Sequence, residues 1–180
     1  LTINAAVSAG GNVSIDNAGL FTASGAIAAG GAFTQSGTGA IRLANDITAI
    51  GSISFGTAVT LANDVVLATT NSDVTFSSTL GSDTSASARN LTITVGAGNV
   101  LFDDVVGATA LGDVTLVSAG NVTFSDTLDA ASFTQNAGTG ETIFGGTTNL
   151  GGVLDFTGTK LTINADVTAG GNVSINNAGL

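Results

Sequence analysis

Short runs of the form apolar, Thr or Ser, apolar recur along the chain, each bounded by Gly, Asn or Asp. Examples are Leu1-Thr2-Ile3, Val13-Ser14-Ile15, Ile53-Ser54-Phe55, Val59-Thr60-Leu61, Val74-Thr75-Phe76, Leu91-Thr92-Ile93, Val114-Thr115-Leu116 and Val122-Thr123-Phe124. Period-two alternation of β-branched and aromatic residues predicts strands, because successive side chains of a strand point to opposite faces. No stretch sustains the i, i+3, i+4 spacing of a helix. The pattern predicts an all-β chain.

The spacing of the runs selects the architecture. Strands beginning at Asn12, Ala32, Ser52 and Asp73 lie 20, 20 and 21 residues apart, and Asn121 to Glu141 is again 20. Phe33-Thr34-Gln35 returns as Phe133-Thr134-Gln135 after 100 residues, which reads as five periods. Residues 1–20 return as 161–180, differing only in Ala6 against Asp166, Ser8 against Thr168 and Asp16 against Asn176. That repeat of 160 reads as eight periods.

Antiparallel hairpins would favour Asn-Gly or Asp-Gly turns, and the sequence contains neither dipeptide. Recurrence at one coil length predicts instead a parallel β-solenoid (β-helix) of about 20-residue coils, open at both ends. Residues 1–160 are then one eight-coil repeat unit and 161–180 the first coil of the next. At about 4.8 Å per coil the unit is roughly 38 Å tall. Polar residues from Thr79 to Asn90 read as a loop bulging from one turn. Unpaired strand edges at the two ends invite stacking of further copies of the repeat, in the same chain or in separate subunits.

Corners follow from the same alignment. Leu43 to Ile47, Leu61 to Val65, Ile3 to Val7 and Ile163 to Val167 each read as an apolar residue, three small or polar residues, and an apolar residue re-entering the core. This register places Asp46 above Asp64. Aligning Phe102 with Phe124 places Asp104 above Asp126. Asn12, Asn99 and Asn121 fall where amide ladders run along a corner. Gly10-Gly11-Asn12 and Gly170-Gly171-Asn172 read as coil corners where glycine supplies positive φ, since no Lys or helix start follows to make a phosphate cradle.

Composition narrows the chemistry. The chain lacks Pro, Cys, Met, Trp, Tyr and His, and its only aromatics are nine Phe. Thirteen acids against Arg42, Arg89 and Lys160 give a net charge of −10, which repels nucleic acid. Without cysteine there is no disulfide framework and no thiolate metal site. No apolar run reaches the roughly 18 residues of a membrane helix, so no membrane insertion of this segment is expected, and no signal peptide stands at Leu1.

Absence of His and Cys excludes the usual nucleophile triads. A carboxylate pair among Asp103, Asp104 and Asp126 is the remaining enzymatic constellation, suited to a polysaccharide-degrading β-helix. Such sites usually add aromatic platforms and bases, which this sequence scarcely has, so no catalytic or cofactor-binding residue is assigned. Stacked acids are also candidate calcium ligands, namely Asp46, Asp64, Asp104 and Asp126. Solvated corner acids are the plainer reading. Thr2, Thr60, Thr75, Thr92, Thr115 and Thr123 point outward, but a single Thr per strand is ordinary β-propensity rather than an ice-binding array.

The succession LTINA, AGGNVSI, GLFTASGAI and AGGAFTQ resembles the β-strand repeats of very large bacterial surface proteins, the filamentous-haemagglutinin-like and autotransporter-type adhesins. The resemblance covers essentially the whole chain and implies a secreted parallel β-helix serving as a stalk, fibre or adhesin on the bacterial cell surface. It implies neighbouring copies of the repeat as partners, with host or matrix glycans as further partners in an adhesin. It carries no functional residue across.

Overall fold

The computed structural model describes residues 1–179. Each turn of the chain contributes three strands, and the turns stack as a parallel β-solenoid of about nine coils. In the first turn the strands are Thr2–Ile3, Val7–Ala9 and Val13–Asn17, which open three faces, here called I, II and III. In the second they are Phe21–Ala23, Ile27–Ala29 and Phe33–Gly37. Thr2 pairs with Thr22, Val7 with Ile27 and Val13 with Phe33, all in parallel and twenty residues apart. Two strands, Val106–Ser118 and Leu128–Gln135, run from face I into face II, which joins these faces into one sheet.

Alternation along each strand sends one set of residues inward. Phe21, Ala23, Ile41 and Leu43 do so from face I, Ile27, Ile47 and Leu67 from face II, and Val74, Phe76 and Phe102 from face III, all buried. The intervening Thr22, Thr34, Thr60 and Thr75 lie on the outer side, partly exposed. The outward threonines therefore make no single column. Thr2 and Thr60 stand on face I, Thr92 and Thr115 on face II, and Thr75 and Thr123 on face III.

Corners are tight because coil backbones pass almost in contact. A Cβ at Gly30 would come within 2.6 Å of the Gly10 carbonyl oxygen of the preceding coil. Close approach, rather than the expected positive φ, is what Gly170 and Gly171 serve, whereas a Cβ at Gly10 or Gly11, in the first coil, would meet nothing. Among the described residues the positive-φ glycines are Gly37, Gly96 and Gly107.

Pairing fixes the phase of the long repeat. The outward column of face I starts Thr2, Thr22, Arg42, Thr60 and Gly81 and ends Asp129, Asn149 and Thr168. Thr162, the copy of Thr2, is not in it. Thr162 instead closes the column of Ser14 on face III, through Thr34, Ser54, Thr75, Leu101, Thr123 and Ile143.

The 160 residues separating the two copies thus make seven and two-thirds turns, not the eight expected, and the second copy is rotated by one face. The cause is local. Leu80 to Val106, Val65 to Leu91 and Val74 to Val100 are all steps of 26 residues. Six residues beyond the ordinary twenty equal the distance from one face to the next. For the same reason Phe33 lies on face III and Phe133 on face II, four and two-thirds turns away rather than five. The inserted loop is Asp83 to Asn90, shorter than the expected bulge, because Leu80–Ser82 is a buried strand of face I.

Candidate functional site

The most organised features are three ladders that run along the axis. Inside face III, Phe55, Phe76, Phe102, Phe124 and Phe144 occupy one register position in successive coils. Their ring centroids are 5.0, 5.1, 4.6 and 5.5 Å apart, and the middle rings lie within 9° to 10° of parallel. Coil spacing of about 4.8 Å holds identical rings near their offset-stacking distance, so the backbone period sets the aromatic contact. Phe133 closes the stack edge-on against Phe124 and Phe144.

At the corner entering face III a polar ladder runs on the outside. The amide N–H and Nδ2 of Asn99 both donate to Asp73 Oδ1, at 2.7 and 3.2 Å. Asn121 donates likewise to Asn99 Oδ1 at 2.8 and 3.1 Å, and the Glu141 N–H donates to Asn121 Oδ1. Asn12 stands at the same corner in the first coil, with its Oδ1 accepting the Ala32 N–H. Glu141 ends the ladder in an ion pair with Lys160 at 2.8 Å and a hydrogen bond from Thr162. The Lys160 bond, then that from Thr162, holds the Glu141 carboxyl below the usual glutamate range.

A second ladder occupies the corner entering face II. Asn90 donates to both oxygens of Asp64, Asn90 Oδ1 accepts the Asp113 N–H, and Ser132 donates to Asp113. These side chains satisfy corner N–H groups that the strand ladders do not reach.

The ladders account for two of the calcium candidates. Asp46 does not stack on Asp64, because the second corner is two residues longer: Leu43 pairs with Leu61, but Ile47 pairs with Leu67. Asp46 faces Val66 and accepts its N–H at 2.8 Å, while Asp64 serves Asn90. Asp104 and Asp126 do share a column, since Phe102 pairs with Phe124. Each bends back to its own chain, Asp104 onto the Val105 N–H and Asp126 onto that of Thr127. Asp103 is exposed next to them. Among the described residues no three acidic side chains converge on one point, whereas calcium takes six to eight oxygens.

Sequence reasoning missed the buried amides. Gln35 and Asn17 are both buried in the corner leaving face III, with Gln35 Nε2 donating to Asn17 Oδ1 at 2.7 Å. Asn17 Nδ2 donates to the carbonyls of Gly19 and Gly39, and Gln35 Oε1 accepts the Gly56 N–H. Gln135 has the same local sequence but faces Thr142, whose hydroxyl donates to Oε1 at 2.8 Å, and its Nε2 has no partner. The signal was present in the alternation, which puts both glutamines at inward positions.

The inserted loop is held by charge. Asp83 accepts from Arg89 at 2.9 Å and pairs with Arg42, two coils away, at 3.3 Å. The hydrogen bond from Arg89, with the two guanidinium charges, holds the Asp83 carboxyl below its ordinary value. Ser82 Oγ donates to the Thr84 carbonyl and accepts the Arg89 N–H, closing the loop.

An open depression of about 220 Å³ beside Ala49, Ile50 and Thr70 is smaller than the roughly 300–1,000 Å³ of small-molecule sites. No described helix is long and apolar enough to cross a membrane. By its fold the chain is a parallel β-solenoid with three ladders. No protein-family model, curated protein or solved structure matches it.

Proposed function

We propose that this chain is a structural repeat segment of a long extracellular filament or adhesin stalk on a bacterial surface, and that its work is mechanical. The observation that carries this reading is the continuity of the ladders. A backbone ladder on three faces, an aromatic stack inside and two amide ladders outside all run parallel to one axis, so a pull along that axis loads many bonds together. The side chains of these ladders hold coil to coil.

Supporting this, the outward strand positions are rich in Thr and Ser, and Asp46, Asp64, Asp104 and Asp126 each accept a backbone N–H. Solenoid stability is a sum of coil and nearest-neighbour terms, which suits a fibre lengthened by repetition. Electron microscopy of the purified chain tests the reading. Rods or filaments about one solenoid wide are expected, and particles that stay single at every concentration would count against it. A glycan- or matrix-binding adhesin region is the second reading. It is favoured by the Asp83 to Asn90 loop, which stands out from the coils yet is pinned by two arginines.

A further inference from the structure

We infer that the edge of the last turn, residues 161–179, accepts residues 1–20 of a second copy of this chain, rotated by one third of a turn about the axis. The inference rests on the filament reading and specifies its joint. Last-turn strands Lys160–Ile163, Val167–Ala169 and Val173–Asn177 lie on faces III, I and II, and their outer edges carry no partner. Val173 and Ile175 are 56% and 50% exposed, and Leu1 at the opposite end is 61% exposed. Apolar positions that are buried in inner coils are open at both ends.

Three observations select the second copy and its rotation. First, the backbone arrives at Asn177 on face II, so the next unfilled place is face III, above Thr162. A second copy laid face on face would leave that place vacant. One laid with its Thr2 strand over Thr162 continues the coil without a step.

Second, the cross-section matches only after rotation. In the first turns the wide corner lies between faces III and I, eight residues from Ser14 to Thr22. In the last turns it lies between faces II and III, nine residues from Thr134 to Ile143 and seven from Asp155 to Thr162. The 26-residue step has moved the corner by one face.

Third, the rotated register sets like on like and removes like charges. Ile3, Val7, Val13 and Ile15 meet Ile163, Val167, Val173 and Ile175, while Asn12 meets Asn172 in the manner of Asn99 and Asn121. The differences between the two copies then take on meaning. Asp16 meets Asn176 and Asp166 meets Ala6, so neither acid faces another across the joint, where like charges directly opposite are destabilising.

Each added subunit advances eight and two-thirds coils, about 42 Å at roughly 4.8 Å per coil, and turns by one face. The Asp83 to Asn90 loop returns to the same side after three subunits, about 125 Å. The test measures end-to-end association of the 180-residue chain by sedimentation, with electron microscopy of the product. Asn176→Asp creates an acid pair with Asp16 and is expected to weaken association about fivefold, less so in high salt. Within one chain Asn176 pairs with Thr157 and Asp16 with Ser36, so the monomer fold, followed by its melting temperature, is expected to be unchanged.

The exchange Asp16→Asn with Asn176→Asp restores one acid and one amide and is expected to recover wild-type association. Association that ignores both variants would overturn the rotated joint while leaving the filament reading intact. A chain that never associates would overturn both.

Discussion

Phe102 sits between two near-parallel rings and is buried on all sides, so its removal tests the aromatic stack directly. Phe102→Ala is expected to cost about 3–5 kcal/mol, the usual range for truncating a buried ring, and Phe102→Leu clearly less. Chemical denaturation followed by circular dichroism reads both. The two buried glutamines make a sharper comparison because their local sequences agree. Gln35→Leu leaves the buried Asn17 Oδ1 without its donor, while the Gly56 N–H keeps the carbonyl of residue 35, and the substitution is expected to cost about 1–3 kcal/mol. Gln135→Leu removes a buried donor that has no partner, leaving one hydroxyl to re-aim, and is expected to change stability by less than about 1 kcal/mol. Equal losses would contradict the environments described.

At the level of strands and corners, the ladders and the loop carry the electrostatics. Asn121 links Asn99 to Glu141 across three coils, so Asn121→Ala is expected to destabilise by about 1–2 kcal/mol, more than an exposed position would suggest. Asp83 and Glu141 are both held below their ordinary values by cationic partners. A depressed carboxylate stabilises the fold above its unfolded value, near 3.8 for Asp83 and 4.5 for Glu141, and that contribution is lost as pH falls through the lower folded value. Melting temperature is therefore expected to drop on acidification below about pH 4.5, and Asp83→Asn combined with Glu141→Gln is expected to flatten part of that drop.

Strand existence and inward positions were legible in the sequence because period-two alternation is strict, as in Val74-Thr75-Phe76. The Asp104 and Asp126 column was legible because Phe102 and Phe124 anchor it. The expected stacking of Asp46 on Asp64 failed, since two extra residues before Leu67 change the register without breaking the local pattern.

For the whole molecule the decisive quantity is phase. A repeat of 160 and a coil of twenty divide evenly, which makes eight turns the natural reading of the sequence. Residues inserted between Leu80 and Val106 do not respect that ruler, and their number happens to equal one face, so every later strand alternates correctly while standing on a different side. Alternation reports inside against outside and is silent about which face is meant. The same twenty residues consequently form coils on two different settings of faces, which is how one sequence can meet its own copy across a joint. Resolving the coil stack of the native material at near-atomic resolution tests this most directly. The account predicts parallel coils rising about 4.8 Å each, with Leu161 to Ile163 on the face of Val13 to Ile15, one third of a turn from Leu1 to Ile3. Leu161 to Ile163 lying directly above Leu1 to Ile3, or strands paired as antiparallel hairpins, would contradict it.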